Sequence, residues 1–143
     1  MKSLLPQIST KSPWLYRINA GSCNGCDVEL ATTALIPRYD VERLGCKYCG
    51  SPKHADIVLV TGPLTAKVKD KVLRVYDEIP DPKVVVAVGI CPVSGGVFRD
   101  SYAVHGPVDS YIPVDVNVPG CPPRPQAIID GIVEAIKIWK SRM

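Results

Sequence analysis

The sequence lacks any long apolar run: no stretch of its 143 residues approaches the roughly 20 consecutive apolar residues that a membrane-spanning helix needs. Residues 1–10 also lack the apolar core of a secretory signal. Together these two absences predict a cytoplasmic chain that has no transmembrane segment.

A strong charge bias is missing too. The chain has 17 lysine and arginine side chains against 14 aspartate and glutamate side chains, a net charge of +3. That excess is too small to indicate a nucleic-acid-binding protein. Histidine is scarce, and neither His54 nor His105 has a partner at metal-binding spacing apart from nearby cysteines. We interpret both histidines as surface or interface residues.

Internal repeats and linker-like segments are also absent, and the length fits one domain with a core large enough to be stable. We therefore predict a single domain over residues 1–143, with residues 1–12 as an N-terminal extension.

What the sequence does contain is six cysteines. In a reducing cytoplasm, cysteine clusters bind metal more often than they form disulfides. Four of the thiols share one setting, a loop rich in glycine or proline that follows an apolar run. These are Cys23 and Cys26 after residues 14–18, Cys91 after residues 84–88, and Cys121 after residues 112–118.

The hydrophobic pattern predicts an α/β sandwich around a mostly parallel sheet. Continuous apolar runs at 57–61 and 83–88 are typical of strands buried on both faces, and residues 64–79 between them have the spacing of an amphipathic helix. Strand, helix and strand in that order imply a right-handed crossover and parallel pairing. A final helix is predicted over residues 125–142, and residues 91–109, which have no clean period, are predicted to form an ordered loop.

The spacing of the cysteines leaves two hypotheses for a metal centre. Because the carboxyl ends of parallel strands meet at one edge, Cys23, Cys26, Cys91 and Cys121 can surround an iron–sulfur cluster. Alternatively, two close pairs, Cys23 with Cys26 and Cys46 with Cys49, can bind zinc. If they do not bind that zinc, Cys46 and Cys49 are either unliganded thiols, a redox pair, or part of a second metal site completed by His54 or a partner chain.

Four motifs resemble one family along nearly the whole chain from Lys11 onward. They are GSCNGCDVE (21–29), GSPKHADIVLVTGPLT (50–65), VVVAVGICPVSGG (84–96) and DVNVPGCPPRP (115–125). In this order they resemble the small subunit of energy-converting, membrane-bound group 4 [NiFe]-hydrogenases of the Ech and CO-induced types. That family is similar to the twenty-kilodalton, cluster-bearing subunit of respiratory complex I. Complex I subunits carry adjacent cysteines in the first motif, whereas this chain has the hydrogenase spacing, Cys23-Asn24-Gly25-Cys26.

The resemblance implies a flavodoxin-like, three-layer domain with one [4Fe–4S] cluster on Cys23, Cys26, Cys91 and Cys121. It implies no catalytic residue in this chain, which would relay electrons from a ferredoxin-like subunit to a Ni–Fe centre in the hydrogenase large subunit. Membrane-arm subunits would couple proton reduction to ion translocation at the cytoplasmic side of the membrane. The alternative is the equivalent subunit of a quinone- or sulfur-reducing complex. In either complex, Glu29, one turn past Cys26, would complement the helix dipole or lie at a subunit interface.

Overall fold

Five parallel strands form the centre of the structure, a computed structural model that describes residues 12–143. Most of the predicted N-terminal extension, residues 1–11, lies outside the described residues. The strands lie in the order β2-β1-β3-β4-β5. Their bounds are β1 Trp14–Asn19, β2 Lys47–Tyr48, β3 Ile57–Thr61, β4 Val84–Val88 and β5 Val116–Val118.

The central strands β3 and β4 pair with their neighbours in a register that aligns the strand ends. Every residue of β3 and β4 is buried, as expected for apolar strands that are covered on both faces. The pairing of β1 with β3 places Asn19 beside Thr61, and the pairing of β3 with β4 places Thr61 beside Val88. The carboxyl ends of three neighbouring strands are therefore level, and the loops that follow them start at one edge.

Helices cover both faces of this sheet. Their bounds are α1 Gly25–Leu35, α2 Lys69–Asp77, α3 Ile90–Ser94 and α4 Pro125–Arg142. Leu30 of α1 and Ile132 of α4 pack in one cluster with Leu59, whereas Val72 of α2 packs in a second cluster with Val58. This arrangement and the strand order are those of flavodoxin-like proteins, so the predicted fold class is confirmed. No helix among residues 12–143 is long and apolar enough to cross a membrane.

The last helix has the predicted bounds, because its apolar stripe alone specifies the buried face. Trp139 is fully buried, and its Nε1–H donates to the Pro82 carbonyl at 3.0 Å. Gly131 lets the helix approach β5 closely, since a Cβ there would collide with Val118.

Two other predictions need correction. The helix predicted over residues 64–79 begins only at Lys69, because the preceding backbone bonds elsewhere: Thr65 N–H donates to the Ala20 carbonyl at 3.2 Å, and the Leu64 carbonyl accepts from His105 at 2.8 Å. Residues 91–109 are not only loop. They contain most of α3, the single-turn 3₁₀ helix Gly96–Phe98 and the start of a second, Val108–Ser110, since Cys91 and its neighbours continue directly from β4 into a helical turn.

Candidate metal centre

Four thiols lie at the carboxyl edge of the sheet. Cys23 lies in the loop after β1 and Cys26 in the first turn of α1. Cys91 lies in the first turn of α3, directly after β4, and Cys121 follows β5. The structure therefore brings together the four cysteines of the cluster hypothesis.

Side-chain hydrogen bonds shape the loop that carries the first pair. Asn19 Oδ1 accepts from the backbone N–H groups of Gly21 at 2.9 Å and Ser22 at 2.8 Å, which turns the chain as it leaves β1. Asn24 then takes a left-handed conformation with φ of 69°, which asparagine tolerates better than most residues. This turn places Cys23 and Cys26 on either side of the start of α1.

Glycines let the backbone approach the sulfur atoms. Gly89 has φ of +97°, and a Cβ at that position would lie 2.6 Å from the Cys26 Sγ. A Cβ at Gly96 would lie 3.2 Å from the Cys91 Sγ. Side chains at these two positions would intrude on the thiols, so glycine keeps the edge open for a bound group.

The thiols differ in exposure and affect one another electrostatically. Cys26 is buried, Cys91 is half-buried, and Cys23 and Cys121 are exposed. The pKa of Cys26 is raised to about 11, chiefly by burial and then by the other three thiols in the order Cys91, Cys23, Cys121. The pKa of Cys91 is likewise raised by burial, then by Cys121 and Cys23. Four thiolates so placed repel one another, and a bound cation offsets that repulsion.

The four thiols do not meet closely enough to hold a single metal ion. Among residues 12–143, no three histidine, cysteine or acidic side chains are close enough to hold one metal ion. A single zinc, with zinc–sulfur distances of about 2.3 Å, needs its ligands to meet around one point. An iron–sulfur cluster is larger and is bound by cysteines that approach it from several sides. Four thiols from three loops at one edge are compatible with that requirement.

The sequence pattern did not predict a role for the buried carboxylate of Asp27, which directly follows Cys26. Asp27 Oδ1 accepts from Thr61 Oγ1 at 2.8 Å and pairs with Arg17 Nη1 at 3.2 Å, while its Oδ2 accepts from Asn19 Nδ2 at 3.0 Å. The carboxylate therefore links the ends of β1 and β3 to the first turn of α1. Its position directly after Cys26 was the available signal, but an acid in a first turn is usually explained by the helix dipole.

The second cysteine pair lies far from this edge. Both cysteines flank β2, which pairs with the first residues of β1, Trp14 and Leu15. At about 3.3 Å per residue, Leu15 and Asn19 are roughly 13 Å apart along the strand. The zinc site built from both pairs is therefore incompatible with the structure.

Cys46 and Cys49 also face opposite sides of the sheet, as residues three apart in an extended strand do. Cys46 is buried in the cluster beneath α1 and α4, and Cys49 packs against the cluster beneath α2 and donates its S–H to the Ser51 carbonyl at 3.4 Å. His54 is exposed, with its ring 5.7 Å from that of Trp14. This geometry favours two unliganded thiols over a redox pair or a shared metal site.

The strand order and the four thiols at one edge place the chain in the class of flavodoxin-like domains with candidate metal ligands at the carboxyl edge of the sheet. Within that class, the chain belongs to the family described as "NADH ubiquinone oxidoreductase, 20 Kd subunit", whose model matches residues 23–135. The family resemblance seen in the motifs is thus confirmed.

Two relatives come from hydrogen-metabolising complexes. The chain is 56% identical over 127 residues to the "Probable membrane-bound hydrogenase subunit mbhJ" of Pyrococcus furiosus, covering 89% of this chain and 75% of the relative. It is 42% identical over 143 residues to formate hydrogenlyase subunit 7 of Escherichia coli, covering all of this chain and 56% of the relative. The chain thus spans little more than half the length of the second protein.

Solved structures agree with the fold. A chain of an archaeal respiratory complex, the membrane-bound sulfane sulfur reductase, superposes with a TM-score of 0.81 at 36% identity, covering 99% of this chain and 77% of that one. A [NiFeSe]-hydrogenase chain of Dm. baculatum superposes with a TM-score of 0.64 at 19% identity, covering 89% and 63%, which shows the shared fold alone. The chain is therefore an oxidoreductase subunit whose relatives work in membrane-bound, multi-subunit complexes.

Proposed function

We propose that the chain is the electron-relay subunit of an energy-converting [NiFe]-hydrogenase and carries one [4Fe–4S] cluster on Cys23, Cys26, Cys91 and Cys121. The observation that carries this proposal is the meeting of four thiols from three strand-end loops at one edge of the sheet. When bound, such a cluster supplies a one-electron carrier.

The protein's own residues would hold that carrier and control its surroundings. Cys26 is shielded from water beneath the edge, whereas Cys23 and Cys121 are exposed, so the site lies at the surface of this chain. A partner subunit can therefore approach the thiols directly. Burial on one side and exposure on the other suit a relay that is completed by docking.

The partners in this proposal are a ferredoxin-like subunit as electron donor and a hydrogenase large subunit that contains the Ni–Fe centre. Membrane-arm subunits would couple proton reduction to ion translocation, and the chain would lie peripherally on the cytoplasmic side of the membrane. The similarity to the Pyrococcus furiosus hydrogenase subunit over 89% of the chain supports this assembly.

A second candidate function is electron relay in a sulfur- or quinone-reducing complex without nickel. The observation that favours it is the TM-score of 0.81 with a chain of the sulfane sulfur reductase complex. Both candidates use the same site in this chain and differ only in the partner that accepts the electrons.

Anaerobic affinity purification of the tagged full chain with its complex distinguishes the two. We expect iron, sulfide and nickel in the purified complex, together with hydrogen evolution from reduced viologen. Iron and sulfide without nickel or hydrogen evolution in an intact complex would transfer the chain to the sulfur- or quinone-reducing candidate. Absence of iron and sulfide from an intact complex would contradict the relay function itself.

A further inference from the structure

Half of β1 has an unpaired edge. The carbonyls of Pro13, directly before β1, and Leu15, within β1, point toward β2, where they accept from the N–H groups of Lys47 at 3.2 Å and Cys49 at 2.9 Å. By the alternation of a parallel ladder, the peptide groups of Arg17 and Asn19 point to the same side. Because β2 ends at Tyr48, these groups have no backbone partner there among residues 12–143. The open edge therefore lies between β2 and the loop that carries Cys23.

A cavity flanks this edge on the α1 face. Its volume is about 220 Å³, and the side chains of Leu30, Ala31, Ala34 and Tyr48 line it. Asp27, which directly follows Cys26, also lines the cavity. A group bound here would lie next to the candidate metal centre.

A second groove of about 240 Å³ flanks the edge on the opposite face, between β1 and α2. Tyr16, Ile18, Val72 and Val75 contribute its apolar lining. The groove is open because the link from β2 to β3, residues 49–56, contains only the one-turn 3₁₀ helix Pro52–His54. Among the described residues, this link supplies no crossover helix to cover β1.

We propose that this edge binds an extended segment of a partner subunit, which adds a sixth strand in line with β2. An added strand bonds to the free peptide groups of Arg17 and Asn19, and its alternating side chains enter the cavities on the two faces. Two apolar cavities on either side of one open edge suit a strand with apolar side chains on both faces. The proposal rests on the proposed function only in that the chain works within a complex.

Charge adds an acidic side chain to this otherwise apolar segment, next to Arg17. The Arg17 side chain remains 48% exposed while its Nη1 contacts Asp27, so part of its guanidinium group can still contact a carboxylate. Lys71 adds a second positive charge beside the groove on the α2 face. A second copy of this chain fits poorly, because antiparallel pairing of two β1 edges would bring the two Arg17 side chains together.

Hydrogen–deuterium exchange tests the proposal directly. In β1, the amides of Arg17 and Asn19 should exchange at least roughly tenfold more slowly in the purified complex than in the full chain expressed alone. Equal exchange rates of these amides in both states would overturn the proposal. Fast exchange in both would show that the edge stays open in the complex, and slow exchange in both would show that the chain covers its own edge.

A pair of matched variants adds a second readout. Ala31→Trp fills the cavity on the α1 face, and Ala127→Trp is the control, an exposed helical alanine that lines a cavity at the opposite edge of the sheet, beside β5. Ala31→Trp should keep the iron and sulfide of the chain but lower its recovery with the complex at least roughly tenfold. Equal recovery of both variants would refute the assignment. Loss of iron and sulfide from the unmodified chain would instead count against the proposed function.

Discussion

Two cysteines with similar burial have different surroundings. The pKa of both Cys26 and Cys46 is raised to about 11, with burial as the largest cause. Three other thiols contribute to the raised pKa of Cys26, whereas Lys140 partly lowers the pKa of Cys46. Cys26 therefore belongs to a group of thiols that could bind a metal, whereas Cys46 does not, although both belong to a C-x-x-C pair in the sequence.

Replacing Cys91 by alanine should remove the cluster, because Cys91 is the only thiol in its loop. We expect loss of most of the iron and acid-labile sulfide per chain, measured after anaerobic purification, and the same result for Cys121→Ala. Cys49→Ala is the control, since that half-buried thiol lies at the other end of β1. A full complement of iron and sulfide in either ligand variant would contradict the ligand assignment.

Asp27→Asn should destabilise the metal edge. The substitution keeps the shape of the side chain but leaves Arg17 without its ion-pair partner and weakens the bonds from Asn19 and Thr61. We expect a loss of about 1.5–3 kcal/mol in the free energy of unfolding, the usual range for hydrogen bonds to a charged group. Chemical denaturation of the full chain measures this loss.

The control for that experiment is Glu29→Gln, which removes a half-buried charge two residues away on the same helix. If Asp27→Asn loses no more stability than Glu29→Gln and retains the same iron, the carboxylate does not organise the edge.

Asp56 should make stability depend on pH. Burial raises its pKa, and the N–H of Trp14, which donates to Oδ2 at 2.8 Å, partly lowers it. A carboxyl whose pKa is raised in the folded state favours folding when protonated and disfavours it when ionised. Its contribution to stability is therefore lost as the pH rises through the folded pKa.

Asp56→Asn removes this dependence. Relative to the wild type, the variant should gain unfolding free energy as the pH rises from about 4 to 7, measured by chemical denaturation at each pH. A stability difference that stays constant across the range would show that Asp56 titrates as it does in the unfolded chain.

At the scale of elements, the turn between β4 and α3 depends on one glycine. Gly89→Ala would force a side chain into φ of +97° and place its Cβ 2.6 Å from the Cys26 Sγ. We expect destabilisation of at least about 1–3 kcal/mol from the backbone alone and loss of iron from the purified chain.

Two other glycines separate the causes. Gly106 has φ of +103° with no atom within 4 Å of a built Cβ, so Gly106→Ala tests backbone strain without the collision. Gly50 has neither feature, and Gly50→Ala should be almost neutral. Iron loss in Gly106→Ala equal to that in Gly89→Ala would show that contact with Cys26 is not the cause.

At the scale of the whole molecule, the candidate centre lies at the surface. Cys23 and Cys121 are exposed in the chain by itself, so oxygen and water reach a bound cluster from that side. We expect a cluster reconstituted in the full chain alone to bleach several-fold faster in air than the cluster in the intact complex, followed by visible absorbance. Equal bleaching rates would mean that no partner covers these thiols.

The sequence by itself determined the elements whose patterns are local. The apolar stripe of α4 and the continuous runs of β3 and β4 specify their own burial, so their positions follow from periodicity. The C-x-x-C pair and the single cysteines after later apolar runs gave the edge cluster as one of two hypotheses, because parallel strands end at a common edge, and only the family resemblance favoured it over the zinc site.

Tertiary structure decided what depends on contacts between distant segments. Spacing could not distinguish Cys46 and Cys49 from the remote cysteines, because only the pairing of β2 with the start of β1 separates the two groups. The same holds for Asp27, whose three partners come from β1 and β3, and for the open edge of β1, which exists because β2 stops after two residues. Local periodicity carries no information about such contacts, since they form only when the strands assemble.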